Sequence, residues 1–294
     1  MKMNPDPMIT RMNLVKLRKR LSLMAFFISC LTLFSASCSF FPFNGMRTWQ
    51  DYRNHSNNNP YILELNSHPG ELFYFGAVHT IDLDDPQFTM IEQYWNQFKP
   101  DLALSEGNLW PVEATRKESI QKFGEQGLLM YLANRDSIPV KCIDPSRQQQ
   151  TYFLSSSFQA WEIKMYFTLV QVAINRRMGW INSPERINSE LNYLSKINYL
   201  EVKPFDFTEF KQLFSKTFPE IPDWRQISND LFHRDYIGGF VAKIHKKLLG
   251  YRNQYMLIRL IREVTKGKRV FAVVGRSHVV IQEPFLKSAL LQSQ

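Results

Sequence analysis

The sequence predicts an α/β fold, a mainly parallel central sheet flanked by helices and carrying a large helical insertion. Three observations point there. Short apolar runs alternate with helical periods from Tyr61 to Asp144, a pattern that suits right-handed parallel crossovers. A further buried run, "KRVFAVVGRSH" (Lys268 to His278), returns near the far end of the chain. The composition, 44% hydrophobic and 21% charged over 294 residues, is that of a globular protein able to build a core.

The elements follow in order. "YILEL" (Tyr61 to Leu65), "NSHPG" and "ELFYFGAV" read as two strands joined by a turn of Asn, Ser, Pro and Gly. In "DDPQFTMIEQYWNQF", Phe88, Ile91, Trp95 and Phe98 fall at helical spacing, with Asp84 or Asp85 placed to cap and Pro86 in the first turn. "DLALSEG" (Asp101 to Gly107) returns as a strand, Val112 to Asn134 as a helix, and "IPVKCID" (Ile138 to Asp144) as a third parallel strand. Residues from about 155 to 266 are mostly helical by period, with a stretch from Ile227 to Thr265 that Gly238, Gly239 and Gly250 could interrupt. A closing helix is expected from about Glu283 to Leu291.

The N-terminal text is of another kind. The basic cluster Lys16 to Arg20 precedes an uncharged apolar run, then small residues Ser35, Ala36 and Ser37 stand before Cys38. That is the order of an export signal, residues 1–37, with its cleavage site. The Cys resembles a bacterial lipoprotein box, which implies lipidation of Cys38. Ser39 after it implies anchoring at the outer membrane. The rival is an uncleaved signal anchor, since no charge interrupts Leu21 to Phe43 and about 20 apolar residues span a bilayer. Residues 38–60, ending in "NHSNNNP", read as a lipidated Cys and polar tether, and 61–294 as the main domain.

Charge excludes a partner class. The chain has 36 basic and 27 acidic residues, net +9, but six basic residues and one acid precede Cys38, so the remainder carries about +4. Nucleic acid is not an expected partner. Outside the leader Cys142 is the only thiol besides Cys38, so no internal disulfide is expected.

Two strands end alike, in Gly76-Ala-Val-His79 and Gly275-Arg-Ser-His278. With 12 glycines and 6 histidines, chance would supply roughly a quarter of one such motif, so the pair is informative. Side chains just past the C-terminal ends of parallel strands project into the crevice where open α/β folds bind ligands, and Gly lets the backbone turn there. If their strands are neighbours, both imidazoles reach one rim. Glu106, an acid directly after an apolar run, could join them. Two His and one Glu suit a divalent metal with open positions, and they suit metal-free acid/base chemistry equally. Each His could instead be a hydrogen-bonded core residue. No His-Glu-x-x-His, Gly-x-Ser-x-Gly, phosphate loop or dinucleotide fingerprint is present.

With these motifs the sequence resembles the TraB/PrgY/GumN group that also contains the Tiki proteins, over about Tyr61 to Leu291. The matching residues are Gly76 with His79, Gly275 with His278, and Glu106. "CIDPSRQQQ", with Asp144, resembles the segment after the third strand, and "HRDYIGGFVAKI", with Arg234 and Asp235, resembles an Arg-Asp helix. The resemblance implies a fold shared with erythromycin-esterase-like and haem-binding ChaN-like proteins, and one pocket lined by the histidines and Glu106. It implies a hydrolase, either a metal-dependent peptidase with His79, Glu106 and His278 as ligands or an esterase in which His activates water. Arg234 or Arg276 would steady negative charge. A small molecule or peptide is the expected substrate, and a non-catalytic holder of haem or a small anion is the alternative. Arg276 departs from the family pattern: a guanidinium beside His278 disfavours a cation and suits a carboxylate or phosphate.

Overall fold

A computed structural model describes residues 45–48, 51–52, 59–198, 205–232 and 239–291. The expected leader, Cys38 and Ser39 lie outside them, as do Arg234 and Asp235. All described residues fall in one unit. Five strands form one sheet: β1 (Tyr61–Asn66), β2 (Glu71–Ala77), β3 (Leu102–Ser105), β4 (Val140–Cys142) and β5 (Arg269–Gly275). Their order is β1-β2-β5-β3-β4, with β1 antiparallel to β2 and every other pair parallel. The fold class read from the sequence is therefore the observed one.

Eight α-helices are described: α1 (Pro86–Phe98), α2 (Arg116–Arg135), α3 (Arg147–Ser155), α4 (Ala160–Arg177), α5 (Pro184–Ser195), α6 (Phe207–Thr217), α7 (Phe240–Val264) and α8 (Arg276–Leu291). Among the described residues none is long and apolar enough to cross a membrane. Asp85 caps α1 through the Gln87 amide, with Pro86 in its first turn, as the sequence predicts.

Strand periodicity of two sorts the sheet into faces. Phe73, Phe75, Phe271 and Val273 pack with Trp95 and Phe98 of α1 and Leu128, Leu129 and Leu132 of α2. Phe271 stacks on Phe73 at 5.0 Å between ring centroids and meets the Trp95 edge at 5.3 Å. The alternate residues Leu72, Tyr74, Val270 and Ala272 are equally buried and face α7 and α8. A second core of Ile163, Phe167, Leu191, Phe210 and Val241, among others, holds α4–α7 together, so the helical section is a packed layer of its own.

Three boundaries differ from expectation. Gly250 leaves α7 unbroken, because a Gly inside a helix lowers its stability without preventing it, while Gly239 stands at the helix N-cap. The second helical stretch is broken at Gly124 (φ 58°, ψ −138°). The last helix begins at Arg276, directly after β5, and carries Pro284 inside it. Pro lacks an N–H, so the Val280 carbonyl four residues earlier loses its helical partner. Arg47 takes it up: its Nη1 donates to Val280 O at 3.0 Å and to Glu283 at 2.6 Å, and its amide donates to Ile281 O at 2.9 Å. Part of the stretch read as a tether is thus docked on α8.

Candidate functional site

The register of β2 against β5 pairs Gly76 with Val274 and Ala77 with Gly275, so the two Gly-x-x-His ends leave the sheet side by side. β3 lies on the other flank of β5, which brings Glu106 to the same edge. The glycines make the convergence possible. A Cβ on Gly275 would stand 2.9 Å from His79 Nε2 and 3.3 Å from Glu106 Oε2. A Cβ on Gly76 would come within 3.0 Å of the Arg276 backbone and the Val279 side chain, so this Gly admits the start of α8.

His79 sits in the loop after β2, which Gln87 pins by exchanging two hydrogen bonds with the Val78 backbone at 2.7 and 3.0 Å. Its Nδ1 lies 2.5 Å from Oε1 of Glu125, a buried carboxylate. The break in α2 explains the contact. Gly124, at positive φ, lets the Thr80 carbonyl approach to where a Cβ would stand only 2.5 Å away, and Glu125 follows directly. A carboxylate accepts, so Nδ1 carries the hydrogen and Nε2 keeps its lone pair. Burial lowers the His79 pKa, but the charge and hydrogen bond of Glu125, with Glu106 adding, outweigh burial and the opposing Arg177, so it lies above the usual 6.5.

Glu106 is held from three sides. Gly275 N–H donates to Oε2 at 2.5 Å, Arg252 Nη2 donates to Oε1 at 2.6 Å, and His278 Nε2 lies 3.4 Å from Oε1. Arg252, from α7, also grips Asp144 at 2.9 and 2.7 Å, and Asp144 accepts the Gly107 amide at 3.0 Å. Burial alone would raise the Glu106 carboxyl; His278, Arg252 and His79 overcome it and hold the group well below the ordinary carboxylate range.

His278 is 3% exposed and points its Nδ1 at Asn253 Oδ1, 2.6 Å away. Gln282 donates to the same oxygen at 2.8 Å and accepts from Tyr74 OH at 3.1 Å. His278 therefore belongs to a buried network that supports Glu106. His79, with a third of its side chain exposed, lines a cavity of about 990 Å³ together with Asn253.

The structure thus brings together His79, Glu106, His278, Gly275 and Asp144. Arg276 turns elsewhere: its Nε donates to the Asn59 carbonyl and its guanidinium lies over the Tyr52 and Tyr61 rings. Arg234 lies outside the described residues; the Arg that fixes Glu106 and Asp144 among them is Arg252. Asp144 does not cap the next helix, since Ser146 does so with Gln149 in a capping box. Sequence reading missed Glu125, Arg252 and Asn253. The signals were an acid and amide between two glycines within a helical period, Gly124 to Gly127, and a polar residue on the apolar face of α7, Asn253 beside Met256 and Leu257.

The donor set does not fit a divalent ion. Glu106 gives both oxygens to protein donors, and the Arg252 guanidinium already supplies positive charge beside it. Among the described residues no group of three or more His, Cys, Asp or Glu is arranged to hold a metal. No protein-family model, curated protein or solved structure matches the chain.

Proposed function

We propose that the domain is a hydrolase in which His79 activates water against a carbonyl group bound in the cavity, the esterase-like variant of the chemistry that the TraB/PrgY/GumN resemblance implies. The observation that carries this reading is the pairing of His79 with buried Glu125 at 2.5 Å. A carboxylate on Nδ1 fixes the tautomer and steadies the imidazolium that forms when Nε2 takes a proton.

In the step itself Nε2 removes a proton from water as its oxygen bonds to the acyl carbon. The carbonyl oxygen takes the electron pair as an oxyanion. The bond to the leaving oxygen or nitrogen then breaks, and His79 returns the proton to that atom. One water is consumed, and an acid and an alcohol or amine leave. Glu106, kept ionised by Arg252, adds negative charge beside the ring and favours the imidazolium. Asn253 and His278 hold Glu106 in place from behind.

The test is a screen of esters and peptides with the full chain. His79→Ala should lower turnover by about a hundredfold or more. Turnover unchanged in that variant ends the assignment. The alternative, a protein that holds haem or a small anion without turnover, has support in the basic cavity wall of Arg176, Arg177 and Lys246. It is the reading that stands if no substrate is cleaved while ligand binds.

The leader supports export and a lipid anchor at Cys38 on the cell envelope. Labelled palmitate should enter the chain, and Cys38→Ser should abolish incorporation.

A further inference from the structure

The cavity above His79 has a chemical bias of its own. Arg47, Arg176, Arg177 and Lys246 line it, while no Asp or Glu among the described residues does. Arg47 is neutralised by Glu283, and Arg176 donates to the Ile227 carbonyl. The side chains of Arg177 and Lys246 make no ion pair or hydrogen bond with any of the described residues. Arg177 is also close enough to His79 to oppose its protonation, which places positive charge at the His79 end of the cavity.

Between the cations the wall is apolar: Val170, Ile174, Leu249 and Ile281 contribute. Gly250 lies on the same wall, in the middle of α7. Gly is disfavoured inside a helix, and a close neighbour is the usual reason for one. Here a Cβ would meet none of the described residues within 4 Å beyond its own stretch of helix. The space that this residue leaves open belongs to the cavity. It lies one helical turn from Lys246 and close to one turn from Asn253 on the same face of α7.

We propose that the cavity takes an anionic amphiphile, with its carboxylate or phosphate on Arg177 and Lys246 and its apolar chain running over Gly250. This deepens the hydrolase reading by naming its substrate class, and it rests on that reading only where turnover is concerned. Apolar walls supply burial, and two cations with no ion pair among the described residues supply the preference for negative charge.

Calorimetric titration of the full chain tests it, with decanoate, decanol and acetate as probes. Decanoate should bind at least about tenfold more tightly than decanol, and acetate should bind far more weakly than either. Arg177→Ala combined with Lys246→Ala should remove the preference for decanoate over decanol. Gly250→Leu should abolish binding of both while the thermal midpoint holds or rises, because Leu is the better helix former. Equal affinity for decanoate and decanol, or unaltered binding in Gly250→Leu at an unaltered midpoint, would overturn the proposal. Titration with phosphatidylglycerol vesicles against free decanoate separates a bilayer source from a soluble one. The same titrations on His79→Ala keep the two proposals apart, since binding there without turnover leaves the amphiphile site standing whatever becomes of the hydrolase.

Discussion

The absent side chain of Gly275 is the space in which the His79 ring sits, with Nε2 2.9 Å from where a Cβ would be. The two residues lie almost two hundred positions apart and meet because β2 and β5 are parallel neighbours.

Gly275→Ala should therefore act on geometry before stability. The obstructed atom is the end of a partly exposed ring that can swing away, so the thermal midpoint should change little. Turnover should fall by about tenfold to a hundredfold, since small misplacements of a reacting group cost that much. Unchanged kcat/KM would contradict the placement of Nε2.

The pH profile should carry the mark of Glu125. A general base works as neutral imidazole, so kcat/KM should rise with pH through the His79 pKa, above 6.5, and then level off. Glu125→Gln removes the charge that opposes burial, so the limb should move to lower pH while the plateau rate drops. A limb that does not move would separate Glu125 from the base.

Arg252 answers for two carboxylates that are 12% and 7% exposed. Arg252→Met should destabilise the fold by about 3–5 kcal/mol, because both acids lose their cation. The sign with pH follows from Glu106. Its folded pKa is depressed, so its contribution is present above the unfolded pKa, about 4.3, and is lost as pH falls through the folded value. Without Arg252 that depression shrinks, and acid unfolding should begin at higher pH. Circular dichroism against pH measures the midpoint.

Phe271 tests the core apart from the site. It is fully buried, stacked on Phe73 and met by the edge of Trp95. Phe271→Ala should cost about 3–5 kcal/mol in denaturant unfolding.

Turnover that relies on His79 should survive chelation. Dialysis against EDTA should leave kcat/KM within about twofold of its starting value, as expected where Glu106 is engaged by Arg252 and the Gly275 amide. Loss on dialysis with recovery on adding zinc would favour the metal reading.

The strands were legible because their signals are local: Phe73 to Gly76 and Phe271 to Gly275 are apolar runs ending in a residue that turns. Glu106 was legible because an acid ends such a run. Arg252 and Glu125 were not, since helical spacing gives the face a residue occupies and leaves open which distant carboxylate or imidazole that face will meet. The break at Gly124 shows the same limit. A Gly in a helical period usually keeps the helix going, as Gly250 does, and only the approach of Thr80 distinguishes the two. Arg276 was misdirected because the ring pair that receives it, Tyr52 and Tyr61, lies far away in sequence.

The central position of β5 has a consequence for biogenesis. It is the last strand in chain order yet fills the slot between β2 and β3. Until it emerges, those two strands lack their shared partner and keep unsatisfied edges, and the ends that carry His79 and Glu106 have nothing to hold them together. A nascent chain is thus exposed to aberrant strand pairing until β5 is free to insert, which makes that late stage the one at which a holding chaperone would matter most.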